Sequence, residues 1–214
     1  MSDALPILYS FRRCPYAMRG RMALAVSGQT VSLREVILKN KPAEMIGASA
    51  KGTVPVLVRA DGVVIDESID VMDWALNQHD PEGWLAPDLP KQKALIAEND
   101  GPFKHHLDRY KYATRYEGAD ALTHRVAGMA FLDQLSETLG DKANIFRDAR
   151  ALSDIAIFPF VRQFRIADPE WFDRHVPANL VAWLNRHMES DLFQSVMGKY
   201  APWQSGEEGV IFPA

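Results

Sequence analysis

The spacing of apolar positions changes along the chain. Ile7-Leu8-Tyr9-Ser10-Phe11 is a short β-branched and aromatic run that predicts a strand. From Pro15 to Val26 the apolar residues Met18, Met22, Ala25 and Val26 recur at helical spacing. Pro15 suits a first helical position, where an N–H has no partner within the helix, and Gly28 is a natural C-terminal stop. Leu33 to Leu38 predicts a second strand, and Lys41 to Ala48 a short helix entered at Pro42. Two further strands, Val56-Leu57-Val58 and Val63-Val64-Ile65, flank Ala60-Asp61-Gly62, and Asp-Gly between apolar runs signals a hairpin. Ser68 then caps a helix reaching Asn77, with Ile69, Met72 and Leu76 on one side. Residues 1–79 therefore predict an α/β domain of order β-α-β-α-β-β-α.

Residues 80–90, Asp80-Pro81-Glu82-Gly83-Trp84-Leu85-Ala86-Pro87-Asp88-Leu89-Pro90, are rich in breakers and predict a linker. Beyond them, residues 91–214 show helical periodicity and no strand. Lys91 to Tyr116 is interrupted by Gly101-Pro102, which should kink or break it. Asp120 to Leu139 carries Leu122, Val126, Met129, Leu132 and Leu135. Leu152 to Ile166 is apolar nearly all round and predicts a buried central helix. Pro177 opens a further helix with Leu180, Val181, Trp183, Leu184 and Met188, and from Lys199 the chain reads as an irregular tail. The expected architecture is α/β plus all-α, the second part a helical bundle.

Composition narrows the function classes. The 214 residues are 47% apolar and 24% charged, which excludes disorder and collagen-like structure. Twenty-four basic against 28 acidic side chains give a net charge of −4, which disfavours a dedicated nucleic-acid or anionic-membrane binder. The apolar runs fall well short of the ~20 residues of a membrane span. Met1-Ser2-Asp3-Ala4 lacks the basic and apolar regions of a signal peptide. A cytoplasmic protein is expected, with no nucleic-acid or membrane partner.

One cysteine, Cys14, is present, so no intrachain disulfide can form. It stands between the end of the first strand and the start of the first helix. There the partial positive charge of the helix terminus and its free N–H groups favour an anion. Arg12, Arg13 and Arg19 add positive potential, and the thiolate is the nucleophilic form. A buried structural cysteine is the alternative. In Cys14-Pro15-Tyr16-Ala17 the last position holds Ala, not a second Cys, so redox work at Cys14 needs a resolving thiol from outside, and glutathione is the abundant cytosolic one.

With these residues in view, the chain resembles the cytosolic glutathione transferase superfamily, and within it the cysteine-type, omega-like members. The resemblance rests on Tyr9-Ser10-Phe11 leading into Cys14-Pro15-Tyr16-Ala17-Met18-Arg19, then Leu38-Lys39-Asn40-Lys41-Pro42, Gly52-Thr53-Val54-Pro55-Val56-Leu57 and Asp66-Glu67-Ser68-Ile69. Lys41, Val54 and Glu67 follow Cys14 at successive intervals of 27, 13 and 13 residues. Ser153-Asp154-Ile155-Ala156-Ile157-Phe158-Pro159-Phe160 resembles the central helix of the second domain. Two departures stand out. Ala151 occupies the place, three residues before Asp154, where the family usually has the Ser or Thr of a capping box, a loss of about 1 kcal/mol. Ser49-Ala50-Lys51-Gly52 also lacks the Asn-Pro common before the family's Gly.

The resemblance implies an N-terminal thioredoxin-like glutathione-binding domain, a C-terminal helical domain and a homodimer. It implies that Cys14 faces the glutathione sulfur and that Val54 pairs its backbone with the cysteinyl part, ahead of a cis Pro55. Glu67 and Ser68 would hold the γ-glutamyl end, and Lys41 the glycyl carboxylate. These roles suit the residue types: an extended peptide binds like an added strand, a helix start accepts a carboxylate, and Lys supplies a point charge. Singly, Ser68 also reads as a helix cap, Glu67 as a solvated loop acid and Lys41 as a surface residue.

The second substrate would lie between the domains in this superfamily. Candidate contacts are Phe11 and Tyr16 from the first and Phe103, His106, Tyr110 and Tyr112 from the second. Phe103, Leu107 and Tyr110 share a helical face and read more readily as core. A metal site at His105, His106 and Asp108 is not expected, because adjacent helical residues point apart. Trp203, in the tail, is a candidate to close the cleft. The leading expectation is glutathione-dependent thiol transfer through a mixed disulfide on Cys14, with an unknown small-molecule or disulfide substrate and no metal. Conjugation of glutathione to electrophiles, or a non-catalytic protein-binding role, are the alternatives.

Overall fold

Buried and half-buried side chains alternate along Val31–Glu35 (β2), the period-2 pattern of a strand. In the computed structural model, which describes residues 4–86 and 88–213, β2 pairs in parallel with Ile7–Ser10 (β1), Leu8 opposite Leu33. Between them runs the helix Pro15–Ser27 (α1), with Pro15 in its first turn and Gly28 closing it at φ 68°. A parallel pair needs such a crossover, so β1, α1 and β2 form one βαβ unit. Ala43–Ala48 (α2) follows, preceded by Pro42. Val56–Val58 (β3) runs antiparallel to β1, and Val64–Ile65 (β4) antiparallel to β3, the hairpin turning at Asp61-Gly62. Ser68–Gln78 (α3) packs against α1 and buries Val71, Met72, Ala75 and Leu76.

The end of the chain departs from the expected irregular tail. Asp191–Ser195 (α10, after the helices described below) packs on α1, and Val210–Phe212 (β5) runs antiparallel to β2. The sheet order is β4-β3-β1-β2-β5. Gly209 makes this approach feasible: a Cβ there would stand 2.2 Å from Ser32 Oγ. One compact unit thus comprises Met1–Pro81 with Asp191–Ala214, and the other Glu82–Ser190. Three residues of β-propensity at a chain end carry little signal by themselves. What makes them a strand is the open edge of β2.

The second unit is helical: Leu89–Glu98 (α4), Lys104–Lys111 (α5), Ala121–Leu139 (α6), Leu152–Ala167 (α7), Pro169–His175 (α8) and Ala178–Glu189 (α9). Gly101-Pro102 does not end the helix. Asn99–Phe103 forms a π-helical segment between α4 and α5, a wider turn around a residue that has no N–H to donate. The stretch expected as a linker is packed. Trp84 is fully buried, its indole N–H donates to Glu82 at 2.9 Å, and Glu82 also accepts from Arg150 at 2.6 and 3.0 Å. Pro87, part of that stretch, lies outside the described residues, as do Met1, Ser2 and Asp3. Leu122 and Val126, among the apolar positions of the predicted helix, are 58% and 70% exposed; α6 buries its later residues Phe131, Leu132, Leu135 and Leu139.

α7 is the centre of this unit, with Leu152 to Val161 all buried. Asp154, fully buried, holds its start. Asp154 accepts from the N–H groups of Ala151 at 3.0 Å and Ile145 at 2.9 Å and from the Trp183 indole at 2.9 Å. Ala151 supplies no hydroxyl in return, so the reciprocal half of the capping box is missing, as its sequence implies. Burial pushes the Asp154 carboxyl up to about 6 despite the three donors. His187, stacked on Phe158 and edge-on to Trp183, is driven down to about 3 by burial, assisted by Arg150 and Arg186.

Asp154→Ala leaves three buried donors without an acceptor and is expected to cost about 3 kcal/mol in urea unfolding. His187 gives a pH signature. It stays neutral in the folded chain and protonates in the unfolded chain below its ordinary value near 6.5, so its contribution is present above that pH and is lost as pH falls towards 3. The stability advantage of the parent over His187→Leu is expected to shrink by about 1.4 kcal/mol per pH unit between pH 6 and 4. Comparing the two proteins cancels the opposite contribution of Asp154, whose raised value costs stability as pH rises through the same interval. A constant difference across that range would contradict the assignment.

Candidate functional site

The site is built at the end of β1. Phe11–Arg13 turn the chain, and Cys14 occupies the cap of α1 with φ −74° and ψ 122°. Cys14 N–H donates to Phe11 O at 3.0 Å, and Cys14 O accepts from Met18 N at 2.9 Å. The half-buried thiol lies 3.6 Å from Val54 O as donor to that carbonyl. The Val54–Pro55 peptide is cis. Tyr9, Ala17, Val36, Met45, Val54, Val56 and Trp203 form the buried cluster beneath, and Cys14 and Phe11 pack against it.

Beneath the thiol lies a residue that sequence reasoning missed. Arg21 is two helical turns after Cys14, on the same face of α1, and is almost completely buried. It donates to Ser10 Oγ at 2.6 Å, Phe11 O at 3.3 Å, Arg12 O at 2.7 Å and Val196 O at 3.0 Å. Burial pulls its pKa down to about 10, against the opposing attraction of Glu35 and Cys14. Glu35 in turn accepts from Arg12 N at 2.7 Å, and burial raises its carboxyl above the usual range. Arg21 therefore clamps the loop that carries Cys14. The available signal was a second cation, beside Arg19, two turns from the thiol within a largely apolar helix.

The other predicted residues fall into place by element. Glu67 precedes α3 and Ser68 is its first residue. Ser68 Oγ accepts from the buried Arg19 at 3.2 Å, and the Arg19 guanidinium lies 5.3 Å from the Tyr16 ring centre. Glu67 is paired: Lys51 Nζ is 2.5 Å from its carboxylate and 3.0 Å from Asp66, which also accepts from Ser49 at 2.6 Å. Those donors hold the Asp66 carboxyl below its usual value, Ser49 first and Lys51 second. Lys41 is exposed in the loop before α2, over Gly52, where a Cβ would stand 3.5 Å from its ammonium. It borders a cavity of about 270 Å³ whose lining includes Asn40, Glu44, Trp203 and Ser205. Trp203 is fixed in this wall: its backbone N–H donates to Glu35 O at 2.8 Å, its ring meets Tyr9 edge-on, and Arg34 stacks on it at 4.1 Å.

In the helical unit, Phe103 is buried with its ring 4.8 Å from that of Phe131 and 5.6 Å from that of Phe164, and Tyr110 packs on Phe164 at 4.8 Å. Both sit in the core. His106 is half-buried, and burial, reinforced by His105, His124 and Arg109, lowers its pKa.

The first unit is thus a mixed sheet on the thioredoxin plan, with a thiol at the first helix start beside a cis-proline turn, and the second is helical. Residues 8–83 match the glutathione S-transferase N-terminal domain family and residues 102–186 the glutathione S-transferase C-terminal domain family. Glutathione S-transferase omega-1 of Rattus norvegicus is 27% identical over 193 residues, 88% of this chain and 78% of the relative. Among solved structures, glutathione transferase Omega 3C from Trametes versicolor superposes with a TM-score of 0.78 at 19% identity, covering 94% of this chain and 92% of that one. A glutathione S-transferase from Methylobacterium radiotolerans, solved in complex with glutathione sulfonate, gives a TM-score of 0.74 at 21% identity, covering 93% and 97%. The chain belongs to the glutathione S-transferase superfamily of enzymes, and omega-1 is among the relatives it is similar to.

Arg21→Met removes the clamp and strands several buried carbonyls and Glu35. A loss of about 3 kcal/mol in urea unfolding is expected. Arg21→Lys, which keeps the charge but not the fork, should fall between the two.

Proposed function

We propose that the chain is a cysteine-type, glutathione-dependent thiol transferase. The observation that carries this reading is the Cys14 thiol at the cap of α1, 3.6 Å from the carbonyl of Val54. In this position a sulfur at the helix start faces a backbone edge suited to an extended peptide.

In the first step the Cys14 thiolate attacks the glutathionyl sulfur of a mixed disulfide. A Cys14–glutathione disulfide forms, and the substrate leaves as a thiolate that takes up a proton. In the second step the thiolate of another glutathione attacks that disulfide. Oxidised glutathione departs and Cys14 returns to the thiolate. The net change is substrate disulfide plus glutathione to substrate thiol plus oxidised glutathione, with the disulfide's two electrons supplied by glutathione.

Val54 offers its backbone to the cysteinyl segment beside Pro55. Ser68 and the N-terminus of α3 receive the γ-glutamyl carboxylate, with Arg19 behind the hydroxyl. Glu67 receives the ammonium of that residue; Lys51, now in that place, shares or yields the carboxylate. Lys41 takes the glycyl carboxylate. Phe11, Tyr16 and His106 remain the candidates for the second substrate. A cytoplasmic homodimer is the setting this reading implies. Among the described residues no helix is long and apolar enough to cross a membrane.

Intact mass measurement after incubation with oxidised glutathione tests the mechanism. One glutathionyl adduct per chain is expected on the parent, none on Cys14→Ser, with removal by reduced glutathione. A folded parent that takes no adduct would sink the reading, and conjugation to an electrophile unaffected by Cys14→Ser would replace it.

A further inference from the structure

Three histidines converge in the helical unit. His105 and His106 are neighbours on α5, and His124 is on α6. One nitrogen from each lies within 4.8 Å of the others. His106 Nδ1 and His124 Nδ1 are 2.9 Å apart. Adjacent helical residues diverge, yet the His105 and His106 ring centres are only 5.0 Å apart, and His124 sits 5.7 and 5.2 Å from them. The third imidazole comes from the next helix and enters the angle between the two.

We infer that His105, His106 and His124 form a binding site for a first-row divalent metal ion of the zinc type. Three imidazoles suit zinc, copper and nickel, while hard cations prefer oxygen. The spacing fits as well. Two nitrogens bound at ~2.05 Å stand roughly 2.9 Å apart at a right angle and ~3.3 Å apart at the tetrahedral angle. His106 and His124 already stand at the right-angle value and need to open by about 0.4 Å for the tetrahedral one. In the metal-free chain one of the two facing Nδ1 atoms carries a hydrogen and the other accepts it. Moving that hydrogen to Nε2 frees both lone pairs without loss of a proton. His105 is exposed, and a rotation of its side chain closes the remaining gap.

The surroundings set a limit on affinity. Arg109 Nη1 is 3.0 Å from His105 Nδ1 and 3.3 Å from His105 O, and its guanidinium stacks on Tyr116 at 4.5 Å. It competes for the His105 lone pair and repels a cation. Asp120, which caps α6, is the carboxylate that interacts with His124. A bound ion would tie α5 to α6, completing its shell with water, and stabilise the unit through linkage.

The test uses the full chain without an added histidine tag, carrying Cys14→Ser so that no thiol competes. Zinc uptake is measured by competition with a chromogenic chelator. One zinc per chain is expected. His124→Ala and His106→Ala should each weaken binding by about tenfold or more, His175→Ala should leave it unchanged, and Arg109→Ala should tighten it. No saturable uptake up to ~100 μM zinc, or equal affinity in the parent and His124→Ala, overturns the site. Should His124→Ala fail to fold, Arg109→Ala decides, since an unchanged or weaker affinity there also overturns it.

Discussion

A guanidinium buried beneath the reactive loop is the constraint on which the first unit depends. Desolvating that charge is tolerable only if its donors are all met, and Arg21 meets them with the carbonyls of Phe11, Arg12 and Val196 and the hydroxyl of Ser10. Each acceptor comes from a segment that must then hold still: the end of β1, the turn before Cys14 and the chain after α10. Glu35, at the end of β2, reaches the same turn through Arg12 N–H. The position of the sulfur is therefore set from below, by a group that touches no ligand in the proposed reaction.

The helical unit solves a similar problem with the opposite sign. Asp154 is a buried carboxylate that gathers the start of α7, the preceding loop at Ile145 and the indole of Trp183. Deep burial shifts both ions towards their neutral forms, Arg21 to about 10 and Asp154 to about 6, so neither is a source of stability by charge alone. Their value lies in geometry, since each fixes several segments at once.

Local signals in the sequence were readable where the physics is local. Pro15 and Gly28 bracket α1, Asp61-Gly62 turns the β3–β4 hairpin, and the all-round apolar run beginning at Leu152 lies in the centre of its unit. Cys14 could be singled out because a thiol at a helix start has a mechanism attached to it. What stayed hidden depends on distant partners. Val210–Phe212 is a strand only because β2 has an open edge, and Arg21 matters only through carbonyls from other segments. His124 joins His105 and His106 across 18 residues. Leu122 and Val126 fit a helical stripe, yet stripe position alone does not say which half of a long helix its neighbours cover. Glu67 reads as an open acid in sequence, and its pairing with Lys51 appears only in three dimensions.

The return of β5 to the sheet has a consequence for synthesis. β2 is made before the helical unit, and the strand that covers its outer edge emerges after it. Throughout translation of the helical unit, that edge presents unpaired N–H and C=O groups to the cell, a template for pairing with other nascent chains. The first unit can adopt its β-α-β core on the ribosome, but its edge is covered only once the residues beyond the helical unit have emerged. Folding of the first unit is thus completed only after the second has been made, when Val210–Phe212 closes a sheet begun with Ile7–Ser10.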